Sequence, residues 1–187
     1  MIDHSLATLI DNCQAGDDHA IGELVRAYHP AVFRLALSIL DDPAEAVEAA
    51  QDVFLAALRA LGQYRRAAAF TTWLYAITVN LCRGRLRRRR ARERLGRVWA
   101  ALSLSGPPRR APLEDHAISR EGAAEVWRAI AALPEPVRLV VVLRYYHDLR
   151  LAEIAAVLSV SERTVHNRLR AAHDRLRGKL QPKVEDP

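Results

Sequence analysis

Tyr64, Phe70, Trp73 and Tyr75 run without a spacer into Arg83, Arg85, Arg87, Arg88, Arg89, Arg90, Arg92, Arg94 and Arg97. Flat rings can stack on bases that have left a duplex, at about 1 to 3 kcal/mol per base, while guanidinium groups hold the phosphates on either side. The combination suits unpaired nucleic acid. A solvated basic linker beside core aromatics has the same composition, so the rest of the chain must decide between them.

A second group with chemistry in it lies near the C-terminus, where Arg163, Thr164, His166, Asn167 and Arg170 fall along one side of a helix. These side chains can donate to or accept from base edges and phosphates in a major groove. Glu162 is the one acid beside them, and at a helix start it is explained by the helix dipole. A third group, Glu48, Gln51, Asp52 and Leu55, forms the outer face of another helix, which is either solvated or a docking surface.

No nucleophile, base or metal constellation converges, which argues against an enzyme. Cys13 and Cys82 stand alone at apolar-periodic positions and read as buried free thiols, and the seven histidines make no ligand pair, so no metal or cofactor is expected. Charge is concentrated. Met1 to Leu81 holds ten acids and five bases, Cys82 to Arg110 holds eleven arginines and one glutamate, and the rest is close to neutral, so the net +6 is local. A focused basic block points to a polyanionic partner. No apolar span approaches the roughly 20 residues of a membrane helix, and the N-terminus lacks the basic flank of a signal peptide, so no membrane partner is expected and the protein reads as cytoplasmic.

Low glycine content and many Ala, Leu and Arg residues predict an all-α chain, since no alternating β-branched run is long enough for a sheet. Leu6, Leu9, Ile10 and Cys13 make a first helix, and Gly16-Asp17-Asp18 ends it and caps the next. Ile21, Leu24, Val25 and Tyr28 carry the stripe to Pro30, and Phe33, Leu35, Ala36, Ile39 and Leu40 resume it. Asp41-Asp42-Pro43 with Glu45 is a helix start, and Val47, Ala50, Phe54, Leu58 and Leu61 are expected inward. After a short loop from Gln63 to Phe70, the next helix keeps Leu74, Ile77 and Leu81 for the core. Trp73, Ala76 and Asn80 form another stripe, and Arg83, Arg87, Arg90 and Arg94 share a face.

From Gly96 to Ser119 the periodicity breaks at Ser103, Ser105, Gly106, Pro107, Pro108 and Pro112, which reads as an extended linker between two helical domains. Val126, Ile130 and Leu133 then give a helix ended by Pro134. Pro136 opens another whose run Val137 to Tyr146 is apolar on nearly all sides and is expected buried. Leu151, Ile154, Ala155 and Leu158 make a short helix, Ser159-Val160 a tight turn, and Ser161 caps a longer helix with Val165, Leu169, Ala172 and Leu176 on one side. That is a helix-turn-helix pattern, though a plain helical hairpin would share its apolar spacing.

Taken together, Gln51-Asp52-Val53-Phe54-Leu55, Phe70-Thr71-Thr72-Trp73-Leu74-Tyr75 with Asn80 and the arginine run, and the Thr164-Val165 to Arg168-Leu169 helix resemble the extracytoplasmic-function (ECF, group IV) sigma factors of the sigma-70 family. The likeness covers about residues 17 to 95 and 121 to 180. It implies a sigma region 2-like domain at 1–95, a linker at 96–119, a sigma region 4-like helix-turn-helix domain at 120–181 and a tail at 182–187. It implies an initiation factor that binds core RNA polymerase, recognises promoter DNA and promotes strand opening. Glu48, Gln51, Asp52 and Leu55 fall where the family docks on the β′ clamp helices, and the second domain falls where it meets the β flap. Tyr64, Arg65, Phe70, Trp73, Asn80, Arg83 and Arg87 fall at the minus-10 element. Arg144, Ser161, Arg163, Thr164, His166, Asn167 and Arg170 fall at the minus-35 element. An anti-sigma partner is common in the family.

The chain departs from the family in its diluted acidic stretch, Glu45-Ala46-Val47-Glu48-Ala49-Ala50, in Gly84, and in Arg163 and His166. Two other readings remain open at this stage: a polymerase-independent helix-turn-helix regulator, and a helical adaptor whose arginines bind RNA or acidic protein.

Overall fold

The computed structural model describes residues 4–103 and 121–180, and among them every regular element is helical. In order these are α1 (His4–Gln14), α2 (Asp18–Leu40), α3 (Pro43–Ala60), a 3-10 turn (Leu61–Gln63), α4 (Phe70–Ser103), α5 (Glu121–Ala131), α6 (Glu135–Val141) with a π turn (Val142–Tyr146), α7 (Leu151–Leu158) and α8 (Glu162–Leu180). These described residues form two compact units, one of residues 9–62 with 77–103, the other of residues 4–8, 63–76 and 121–180. The tail at 182–187 and most of the expected linker lie outside the described residues.

In the first unit the junctions follow the local chemistry of the sequence. Gly16 takes a left-handed φ of +83°, and Asp17 Oδ1 accepts from the His19 and Ala20 amides at 2.8 and 3.3 Å, capping α2. Asp41 closes α2 in the left-handed region, and Asp42 Oδ1 accepts from the Glu45 amide at 3.0 Å, with Pro43 at the first helical position of α3. Pro30, by contrast, interrupts nothing. The helix runs unbroken from Asp18 to Leu40, although a proline there removes one backbone bond and crowds the preceding turn at a cost of about 3 kcal/mol. Leu24, Val32, Leu35, Ala36, Ile39 and Leu40 are all buried on one side of it, and burial of that stripe outweighs the local cost.

α3 presents a largely alanine face, Ala46, Ala49, Ala50 and Ala57 with Val53 and Phe54, which lets α2 approach closely. Val47, expected inward, is 44% exposed, because the buried stripe runs through Ala46, Ala49, Ala50 and Val53 and leaves Val47 beside the exposed Glu48. At the far end Gln14 Nε2 donates to the Leu61 carbonyl at 2.8 Å, tying α1 to the turn after α3.

α4 is 34 residues long, about 50 Å of helix, and continues past Gly96 to Ser103. The linker expected at 96–119 therefore starts later than the sequence suggested. One glycine costs a helix only about 1 kcal/mol, and the Arg, Leu and Ala residues around it are good helix formers. Leu74, Tyr75, Thr78, Val79, Cys82 and Leu86 are its buried residues beyond the first turn, while Ile77 and Leu81 are half-buried. Beyond Leu86 no described residue of α4 is buried, and Leu95 is 62% exposed. The Cys82 thiol is pushed up to about 12 by burial, and the Cys13 thiol is also raised by burial, so both are neutral and unreactive, as expected of core cysteines.

In the second unit Leu133, Val141 and Ala172 pack with Ile130, Val137 and Leu176, while Leu139, Val140, Leu143, Ile154 and Val165 are fully enclosed. Val126 is exposed rather than core. So are Tyr145 and Tyr146, because α6 passes into a π turn and the buried run stops at Leu143. Tyr146 rests edge-on against Trp127, and the Tyr145 hydroxyl lies 2.9 Å from His173 Nε2.

Candidate nucleic-acid interface

On α4, successive residues advance by about 100°, so Trp73, Asn80, Arg83, Arg87, Arg90 and Arg94 fall within one stripe about 100° wide. Asn80, Arg87, Arg90 and Arg94 are exposed on it, and Trp73 and Arg83 are half-buried. The stripe begins at an aromatic triad. Tyr64 meets Phe70 edge-on with centroids 5.5 Å apart, and Trp73 lies tilted at 5.1 Å from Tyr64 and 5.5 Å from Phe70.

Tyr64 and Phe70 are buried in this triad, and the Tyr64 hydroxyl donates to the Ala68 carbonyl at 2.7 Å. They are therefore supports that shape the Gln63–Phe70 loop and hold Trp73, and the picture of four open stacking platforms does not hold. Each such ring pair contributes about 0.5 to 1.5 kcal/mol beyond burial. Tyr75 stands outside the triad and is buried against His147, with its hydroxyl 3.1 Å from Nδ1. Arg65 is exposed, and Arg66, left-handed at φ +58°, reaches the Ala7 carbonyl at 3.4 Å and anchors the loop.

The arginine run is divided by the helix. Arg87, Arg88, Arg90, Arg92, Arg94 and Arg97 lie in solvent. Arg85 and Arg89 face about half a turn away and go to α3 and the end of α2: Arg85 Nη1 donates to Glu48 Oε2 at 3.2 Å and Nη2 to Asp52 Oδ2, while Arg89 Nη1 donates to Glu45 Oε2 at 3.4 Å and to the Leu40 carbonyl at 3.3 Å. Because the higher-numbered arginine meets the lower-numbered acid, α3 and α4 run antiparallel here. No sequence signal distinguished these two arginines from their neighbours; their partners are more than 30 residues away.

The outer face of α3 carries Glu48, Gln51, Asp52 and Leu55, all exposed, Leu55 at 53%. Val47 joins them, so two exposed apolar side chains, Val47 and Leu55, lie two turns apart with Gln51 between them and two acids beside them. The missed clue was that spacing: Val47 repeats with Leu55, two turns on.

On α8 the interior side is set by Val165 and Ala172, both fully buried, which turns Arg163, His166, Asn167 and Arg170 to solvent on the opposite side. Ser161 caps the helix, its Oγ accepting from the Thr164 amide at 3.2 Å and sharing a hydrogen bond with Thr164 Oγ1 at 2.9 Å. α7 ends in a left-handed Ser159, with the Ser159 amide on the Ala156 carbonyl at 3.3 Å and the Val160 amide on the Ala155 carbonyl at 3.0 Å. Those paired bonds form a Schellman turn and fix the angle between the two helices. Arg144 is half-buried, and its Nη1 donates to the Leu149 carbonyl at 2.9 Å, bracing the approach to α7. It is a support in this structure, set apart from the exposed α8 stripe.

Among the described residues no group of three His, Cys, Asp or Glu side chains could hold a metal, and no helix is long and apolar enough to cross a membrane.

Two family descriptions match the chain: Sigma-70 region 2 over residues 24–92 and Sigma-70, region 4 over residues 123–176. The RNA polymerase sigma-H factor of Pseudomonas aeruginosa is 33% identical over 188 residues, covering 95% of each chain. The ECF RNA polymerase sigma-E factor of Escherichia coli is 31% identical over 187 residues, covering 94% of each. Among solved structures, CnrH in complex with the cytosolic domain of CnrY is 27% identical at a TM-score of 0.65, covering 91% of this chain and 94% of that one.

Proposed function

This chain belongs to the ECF group of the sigma-70 family and is an RNA polymerase sigma factor, and from that premise we propose how its faces share the work of initiation. Residues 1–95 act as the region 2-like domain and 120–181 as the region 4-like domain, with the segment between them as the connection. Glu48, Gln51, Asp52 and Leu55, joined by Val47, dock on the β′ clamp helices of core polymerase, and the second domain meets the β flap. Arg65, Asn80, Arg83 and Arg87 hold the parted minus-10 strand beside Trp73, over a floor made by Tyr64 and Phe70. Arg163, Thr164, His166, Asn167 and Arg170 read the minus-35 duplex, with Ser161 as cap and Arg144 as brace.

The role is non-catalytic. Bases that have left the stack are bound and stacked bases are not, so binding energy is released only by open DNA and shifts the closed-to-open equilibrium. The protein works where polymerase works, in the cytoplasm. An anti-sigma factor is a further partner of this reading, supported by the protein-bound form in which CnrH was solved.

The observation that carries the proposal is that one chain turns two separate cationic stripes to solvent, on α4 and on α8, and an acidic, leucine-bearing face on α3. A regulator acting without polymerase leaves the α3 face and the α4 stripe without a task, and similarity along the whole chain to sigma factors disfavours it. The test is transcription from a promoter library by core polymerase with and without the purified protein. Start-site selection that depends on the protein is the expected result. Symmetric binding to a duplex operator with no effect on polymerase would overturn the reading.

A further inference from the structure

Arg85 differs from the arginines around it. Arg87, Arg88 and Arg90 lie in solvent, yet the Arg85 side chain is only 21% exposed, while the Glu48 and Asp52 side chains it meets are 70% and 48% exposed. Two carboxylates one turn apart on α3 repel each other and, as flexible side chains in water, sample several rotamers. A planar guanidinium that gives one N–H to each draws them together, which a point-charge ammonium does poorly. The hydrogen bond that Arg85 donates to Asp52 raises the Arg85 pKa further above an already high value, so the guanidinium stays charged. Each carboxylate spends one oxygen on Arg85 and keeps the other for a partner.

We propose that Arg85 is a positioning residue for polymerase docking: it presets Glu48 and Asp52 on the outer face of α3 and ties that face to the helix that captures the open strand. This rests on the reading of α3 as the docking face. An ion pair whose acids are this exposed adds little to folding stability. A partner that must find both carboxylates in place is sensitive to losing it, because the cost of ordering two side chains is then met at binding. The position of Arg85 about half a turn from the Asn80–Arg87 stripe excludes it from the DNA-facing set on the same helix.

The test compares Arg85→Gln, Arg85→Lys and Leu55→Asp in the full chain, measuring affinity for core polymerase, thermal midpoint, and capture of a single-stranded minus-10 oligonucleotide by the reconstituted holoenzyme at saturating core. Arg85→Gln is expected to weaken core binding about tenfold, with the midpoint moving by no more than about 2 °C and strand capture unchanged. Arg85→Lys should recover part of the loss. In a Glu48→Gln, Asp52→Asn background, Arg85→Gln should cost nothing more. Further loss there, a midpoint that falls in step with affinity, or a defect confined to strand capture each overturns the proposal. Unchanged core binding for Arg85→Gln alongside loss in Leu55→Asp removes the positioning role and leaves the docking face standing. Full binding by Leu55→Asp removes the docking face and the inference with it.

Discussion

α4 and α8 are both basic helices that turn a stripe of side chains to solvent, and they are anchored in opposite ways. α8 is held along its length, with Val165 and Ala172 fully buried beneath the stripe that carries Arg163, His166, Asn167 and Arg170. α4 is buried only as far as Leu86 and is tied beyond it by the polar contacts of Arg89 to Glu45 and the Leu40 carbonyl, and from Arg87 to Arg97 its described side chains are half-buried or exposed, mostly arginine. Mixed donors and acceptors on a fixed helix can distinguish base edges, whereas a row of guanidinium groups recognises phosphate spacing and little else. The difference separates reading sequence from gripping backbone, and it predicts that the two helices fail differently.

The largest effect is expected from removing the grip. Arg87→Ala, Arg90→Ala and Arg94→Ala together should lower holoenzyme affinity for an opened promoter about 100-fold at physiological salt and reduce the salt slope by about 2, since each phosphate contact on a single strand contributes about 0.7. Titration of binding against salt concentration checks this. A slope unchanged by the triple substitution would mean that α4 does not meet phosphates, and the contrast with α8 would break.

Arg170→Ala comes next. Loss of one contact to a base pair costs about 1 to 3 kcal/mol and relaxes specificity at that position. Binding to a panel of minus-35 variants should show weaker affinity with flattened preference at one or two base pairs, and little change in salt slope. Uniform weakening across the panel, with a slope reduced by about 1, would make Arg170 another phosphate contact and erase the distinction between the helices.

How far these faces were legible in the sequence follows the same division between local and distant causes. Asp17 after Gly16, Asp42-Pro43 with Glu45, and Ser159-Val160-Ser161 were readable because capping chemistry is settled within four residues. The exposed α8 stripe was readable because a 3.6-residue period with a clear apolar side leaves its opposite side determined. Pro30 was misleading because the compensating burial comes from α3, and the linker start was misplaced because one glycine cannot end a helix of good helix formers. Tyr64, Arg85, Arg89 and Arg144 each looked like ligand contacts, and each turned to a partner within the fold. Residue type announced what these side chains could bind but not which acceptor the fold would bring first.

Asn80 tests the boundary where α4 changes from core helix to basic extension. Asn80→Ala removes an exposed amide that packs against nothing in the core, and it should slow promoter opening about tenfold, with closed-complex binding to duplex changed by less than about twofold. Permanganate reactivity of unpaired thymines against a duplex footprint separates the two. Equal loss in both assays would contradict a strand-selective role. Trp73→Ala is the less clean probe, because Trp73 is also one side of the aromatic triad and losing its two ring pairs should itself cost about 1 to 3 kcal/mol of stability.

The smallest effect sharpens the comparison at the point where the grip begins. Gly84 lies inside α4 with helical backbone, and a methyl group there would meet the Arg88 and Arg87 Nη2 atoms at 3.7 and 3.9 Å, ordinary contacts with mobile side-chain ends. Gly84→Ala should therefore stabilise the chain by about 0.5 to 1 kcal/mol, as alanine does in an unstrained helix interior, and raise the thermal midpoint by a few degrees. Gly84 sits at the margin of the Asn80–Arg94 stripe, so strand capture by the holoenzyme should stay as it is. If stability rises while capture falls, the glycine is keeping space for a sugar-phosphate backbone, and the DNA path extends past the edge of the arginine row onto the α4 backbone itself. Unchanged capture confines the grip to the long side chains, which is what a helix free of the core beyond Leu86 can offer.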